Sequence, residues 1–253
     1  MSRQNPPKRP NSQSRPSPPS RSSRPSRSPA EPRAVRSGPP PARGGAAAGE
    51  ARRLLAEYGR THASEAGIRL RDTPAPLYQL LTLCVLFAVR IRADIAVAAA
   101  QELFAVGLRT PRAMAASSWQ DRVDALGRAH YRRYDESTAT ALGSGAEFLL
   151  DRYGGDLRRL RKEAGGDPGR VRELLQEVPR IGPVGADIFC REVQGLWPEL
   201  RPSFDSRARH AAAELGLPDA PGDLAALVPA ADLPRLAAAL VRVELARPAA
   251  GQS

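Results

Sequence analysis

Two cysteines and three histidines are all that 253 residues contain. Cys84 and Cys190 each lie inside an apolar helical pattern, there is no C-x-x-C pair, and His62, His130 and His210 are scattered. A tetrahedral zinc site or a cysteine-ligated cluster is therefore short of ligands, and the thiols read as small core residues in a reducing compartment. Long apolar runs are also lacking. The longest, LYQLLTLCVLFAV at 77–89, is thirteen residues broken by Gln79, too short to span a bilayer. No convincing alternating strand, fixed-period repeat or sustained heptad occurs, which excludes β, solenoid and coiled-coil classes. The expectation is a soluble, cytoplasmic, nucleoid-associated monomer with no membrane contact.

Charge is abundant but uneven. Of the net +11, residues 1–49 contribute ten Lys or Arg against a single acid, Glu31, which leaves +2 for the other 204 residues. The same 49 residues hold 12 of the 25 prolines and almost nothing apolar larger than alanine. Such a segment cannot bury enough surface to offset the entropy of ordering and is expected to be a disordered Pro/Ser/Arg-rich tail. It lacks a signal peptide's apolar core, and its prolines argue against an amphipathic transit helix. Its role is either none or a salt-sensitive tether to nucleic acid. Any nucleic acid bound by the folded part must meet a local patch rather than a global field.

From about residue 50 to 250 the pattern is helical. EARRLLAEYGR (50–60) is amphipathic, and TPAPL (73–77) is a helix start with proline in the first turn. The following helix has apolar residues at 77, 80, 81, 84, 85 and 88, with Leu83, Leu86 and Phe87 filling its other side, so it is predicted to be central and buried all round. ADIAVAAAQELFA (93–105) follows. Two short helices open at Thr or Ser caps, and a longer one over 135–155 closes on a glycine pair. GRVRELLQEV then leads to VPRIGPVGADIFCREV (178–193), where a helix breaks at Pro179, passes Gly182 and Gly185, and resumes.

That hairpin, within a motif at 170–195, admits two readings. One is an ordinary corner between helices. The other is a phosphate grip: backbone N–H groups at a tight turn and helix start are not consumed by the helix ladder, and they converge where the helix dipole favours an anion. Gly182 and Gly185 would let a phosphate oxygen approach closely. Turn carbonyls can hold a monovalent cation bridging to it. Only backbone is used, so the grip would not read base sequence.

The stretch resembles the helix–hairpin–helix of the endonuclease III-like DNA glycosylases, L-P-G-hydrophobic-G-x-K-T-A, with Val178, Pro179, Ile181, Gly182 and Ala186 matching. LLTLCVLFAVRIRADIAVAAAQELF resembles the family's central helix pair. PSFDSRARHAAAELGL stands in the place of its V-D-T-H segment, with Asp205 at the catalytic aspartate position. The likeness spans about residues 75–245. It implies an all-α, two-lobed fold, one lobe from about 75 to 200 and the other from residues near 50–74 with the C-terminal helices. It also implies double-stranded DNA as partner, held at Arg180, Ile181, Gly182, Val184 and Gly185, with the target nucleotide flipped into a pocket between lobes. There an ionised Asp205 would activate water and stabilise the charge developing on the sugar as the base leaves. The residue-level alternative is that Asp205 caps the helix behind it; the two roles are compatible.

The departures matter as much. Arg180 replaces the hairpin's first glycine. Val184 replaces the lysine that bifunctional members use as Schiff-base nucleophile, and valine forms no imine. The cluster cysteines are missing, so no cofactor is expected. The reading is a monofunctional glycosylase. The alternatives are a catalytically inactive protein that binds or senses DNA structure, and a helical protein that does not touch nucleic acid. Among other polar groups, Asp94 reads as a helix cap, with an active-site role in the cleft between lobes as the alternative. Arg90 and Arg92 fall where the family contacts DNA but also read as solvated helix-end residues. In GRAHYRRYDE (127–136), Tyr131 either contacts DNA, with His130 and Tyr134, or packs at helical spacing.

Overall fold

The computed structural model describes residues 43–246. Thirteen α-helices and two 3-10 turns make up the ordered elements among them, and no strand occurs. Helix α1 (Arg43–Tyr58) starts seven residues before the sequence expectation, so the segment 43–49, assigned above to the tail, belongs to the folded part; residues 1–42 lie outside the described residues. Ala47, Ala51 and Leu54 pack inward from α1, contacts that local composition does not reveal because alanine and glycine dominate the helix's first half.

The central helix is as its pattern demands. α3 (Pro74–Leu86) begins at Thr73 with proline at its first position, and Leu77, Tyr78 and every residue from Leu80 to Leu86 are buried. Fully burying one such leucine is worth about 1.5–3 kcal/mol, so α3 holds the first core together. Around it lie α2 (His62–Glu65), α4 (Ala93–Ala105), α5 (Pro111–Ala116), α6 (Trp119–Arg128), α7 (Asp135–Tyr153), α8 (Leu157–Glu163), α9 (Pro168–Gln176) and α10 (Pro183–Val193). The expected starts of α5 and α6 are met by Thr110, which accepts from Ala113 N–H, and by a reciprocal Ser118–Asp121 capping box. α7 ends at Gly154 and Gly155, both left-handed, because only there can the chain reverse without a Cβ clash.

A second core joins α1 to α11 (Ser206–Glu214), α12 (Pro221–Ala225) and α13 (Leu233–Ala246). The two-centred arrangement is as expected, with one correction: Ala63, Ala66 and Ile68, expected in the second lobe, pack into the first core. They are held there by Glu192 on α10. Its buried carboxylate accepts the His62 and Ala63 N–H groups at 3.2 and 3.0 Å, capping α2 from 130 residues away.

The end of α2 carries an acid-sensitive knot. Burial alone would raise the Glu65 carboxyl, but hydrogen bonds from His62 and Arg242 and the latter's charge outweigh it and bring the pKa down to about 2. A carboxyl depressed on folding stabilises above its unfolded pKa, near 4.3, and loses that contribution as pH falls toward the folded value. The melting temperature should therefore fall between about pH 4.5 and 2 more steeply in the wild type than in Glu65→Gln. Parallel melting curves across that range would contradict the assignment.

Candidate nucleic-acid interface and acidic site

Between α9 and α10 the chain makes a tight turn. Ile181 N–H bonds to Val178 C=O at 3.0 Å, with Pro179 and Arg180 at the two central positions. Proline sets the first of these, and the second must adopt positive φ, which favours glycine. Here it is Arg180, at φ 71°. A side chain in that region strains the backbone by about 1–2 kcal/mol. The turn is pinned from below by buried Val178 and Ile181, and Val178 and Pro179 lie against Gly145 of α7.

α10 then starts at Gly182 with Pro183 in first position and no side-chain cap. Among the described residues, the N–H groups of Gly182, Val184 and Gly185 have no acceptor. These are the unfilled donors a phosphate grip requires. A Cβ on Gly182 would meet nothing within 4 Å, so that side of the turn is open. A Cβ on Gly185 would stand 3.4 Å from Ile181 and 3.7 Å from the Cys84 carbonyl. Those are ordinary contact distances, so packing requires a glycine at neither position. Val184, at the lysine position, is 61% exposed.

Asp205 is the N-cap of α11, its Oδ1 accepting Ala208 N–H at 2.9 Å. Its Oδ2 accepts Arg191 Nη1 at 2.7 Å, with side chains only 14% and 3% exposed respectively. Arg191 comes from α10, so the helix that leaves the hairpin also fixes the acid. Gln194, fully buried just past the end of the same helix, donates to the Arg191 and Ser203 carbonyls and accepts Ser203 N–H. This clamps the 201–205 connector onto α10. Val184 and Arg191 are seven residues apart, hence on one face and about 10 Å apart along the axis.

Arg191, which pairs with Asp205, and Gln194, which holds its connector, were not among the sequence-predicted residues. The available signal was an Arg–Glu pair, Arg191–Glu192, inside the otherwise apolar IFCREV run. Charges there must find buried partners.

The other expected contacts separate. Arg90 is exposed and has no hydrogen-bond partner among the described residues, whereas Arg92 pairs with Asp94 at 2.6 Å. Arg92, not Asp94, is the N-cap of α4. Tyr131 is corrected outright: it is fully buried, its hydroxyl donating to the Leu86 carbonyl at 2.9 Å, so it cannot stack on a base. Burial pushes its phenol up, opposed in part by the Arg180 charge nearby. The exposed residues of that loop are His130, Arg132 and Arg133.

Cys84 and Cys190 are both fully buried, one on α3 and one on α10. Burial pushes Cys190 up to about 12 and Cys84 well above its ordinary value, so both stay neutral.

No family model matches the chain, and no curated protein does. Among solved structures it resembles a non-covalent endonuclease III–DNA complex, with a TM-score of 0.50 at 15% identity over 77% of this chain and 80% of that one. A trapped endonuclease III–DNA covalent intermediate, the estranged-adenine complex, aligns at a TM-score of 0.42 and 15% identity, over 77% and 84% of the two chains. The first likeness places the chain in the endonuclease III fold.

Proposed function

We propose that this chain is a DNA glycosylase-like protein that grips duplex DNA at the 177–185 hairpin and hydrolyses the N-glycosidic bond of a damaged or mismatched base beside Asp205. The observation that carries the reading is the shared helix. α10 has unfilled backbone donors at its first turn and holds the Asp205 carboxylate through Arg191 two turns later. A phosphate bound at one end and a nucleotide flipped at the other would thus be set in fixed register, as positioning catalysis requires. The neighbouring fold was captured on DNA, which favours the same partner here. The carbonyls of Arg180 and Ile181, which accept no hydrogen bond among the described residues, are the atoms a monovalent cation bridging to the phosphate would use.

Asp205 supplies negative charge where the sugar becomes cationic, and it can orient a water for attack at the anomeric carbon. An imine route lacks its amine. Val184 occupies the hairpin position, and the one lysine between residues 43 and 246 is Lys162, exposed near the end of α8. Borohydride treatment of the protein on an abasic-site duplex should therefore leave no covalent adduct above the level of a Lys162→Ala, Lys8→Ala double variant. A trapped complex that depends on either lysine would defeat the lysine-free mechanism.

A second reading is favoured by the Arg191–Asp205 pair itself. An acid with both oxygens engaged, one by a buried guanidinium, is partly neutralised as an electrostatic stabiliser. That suits a protein that kept the hairpin and binds abasic or branched DNA without turnover. Tight binding that survives Asp205→Asn, with no base released from any lesion, would select it.

A further inference from the structure

Only two non-glycine residues among those described have positive φ, His130 and Arg180. Strain of this kind persists where a side chain is needed for something other than folding. Glycine would serve both turns with less strain: His130 follows the end of α6, and Arg180 is at the third position of a Pro-led turn. Both belong to segments that meet at the C-terminal end of α3, because Tyr131, next to His130, bonds the Leu86 carbonyl and lies within electrostatic reach of Arg180. The Arg180 guanidinium itself is poorly used within the fold. Its one hydrogen bond among the described residues is a long one, Nη2 to Ser137 Oγ at 3.4 Å, to a neutral hydroxyl already donating to the Tyr134 carbonyl. No carboxylate pairs with it among the described residues. A strained, half-exposed cation without a counter-charge stands beside the unfilled donors of Gly182, Val184 and Gly185.

We propose that Arg180 is a phosphate clamp: its planar guanidinium binds a DNA backbone phosphodiester next to the one gripped by the N–H groups of α10. The hairpin then holds DNA by a side chain as well as by backbone. The arginine adds charge-assisted, bidentate contact at the expense of turn geometry. This deepens the proposed DNA-binding role and rests on it, but it does not depend on catalysis.

The test measures stability and binding on the same full-length variants. The probes are a fluorescein-labelled duplex with a central abasic analogue and an undamaged duplex of the same sequence, titrated over a salt series. Arg180→Gly relieves the turn and removes the charge. It should melt about 2 °C higher, net of the freedom glycine adds to the unfolded chain, bind about tenfold more weakly, and lower the log–log salt slope by about one. Arg180→Gln keeps the strained backbone and removes only the charge, so it should melt like the wild type and bind like Arg180→Gly. Opposite signs for stability and affinity are what a purely structural arginine cannot produce. The clamp is overturned if both variants keep wild-type affinity and salt slope. It is equally overturned if Arg180→Gly melts lower, since the side chain would then be holding the hairpin on α7. If the wild type itself binds neither duplex, the DNA-binding role fails and the clamp with it, whereas wild-type binding matched by both variants sinks the clamp alone.

Discussion

Arg191→Met is expected to lose about 3 kcal/mol of stability or somewhat more, seen as a melting temperature lower by about 6–12 °C. The loss arises on the partner. Asp205 is 14% exposed, so without Arg191 its carboxylate keeps only the Ala208 N–H and a thin water contact. Glu192, buried on the neighbouring position of α10, adds a second negative charge with no cation to offset it there. Methionine fills the space of the arginine stem, so the deficit is electrostatic rather than a cavity. Arg191→Met with Asp205→Ser should recover most of the loss, because serine preserves the cap on α11 while removing the stranded charge. A single variant within about 1 kcal/mol of the wild type would mean that water reaches the pair freely, and that Arg191 does not fix the acid.

Asp205→Asn should cut single-turnover base release by about 10²–10⁴-fold, the range for losing a positioned acid–base group. Asparagine is as good an N-cap as aspartate, which makes this the natural substitution, but the ion pair complicates it. The side chain now has one acceptor oxygen for two donors, Ala208 N–H and Arg191 Nη1. The variant should therefore also melt lower, and its rate must be read well below its own transition. Duplex affinity should hardly change, since the hairpin donors and Arg180 are separate from Asp205 in the chain. Retained base release in the folded variant would remove Asp205 from the chemistry.

Much of the architecture could be read before any coordinates, for local reasons. The buried α3 follows from apolar residues on every side of one helical stretch. The starts of α5 and α6 follow from Thr110 and Ser118, and the hairpin from Pro179 and Gly182. The cap that Asp205 places on α11 follows from its residue type just before a helix. The missed features depend on distant contacts. Glu192 caps α2 across 130 residues, and Arg191 meets Asp205 fourteen residues on, through a connector that Gln194 shapes. Tyr131 was ambiguous because an aromatic beside arginines looks alike whether it faces DNA or the Leu86 carbonyl. Arg180 is the reverse case, where a mismatch to the glycine of the family motif marked the position later found at positive φ.

The hairpin and Asp205 are proposed to form one site that releases a base without cutting the strand. The most direct measurement is a single-turnover screen of full-length protein on duplexes carrying a broad panel of damaged and mismatched bases, each reaction split and analysed with and without alkali. Free base is expected from at least one lesion, with strand breaks mainly after alkali, and that release should be lost in Asp205→Asn. No release from any lesion, or release that Asp205→Asn leaves intact, would contradict it.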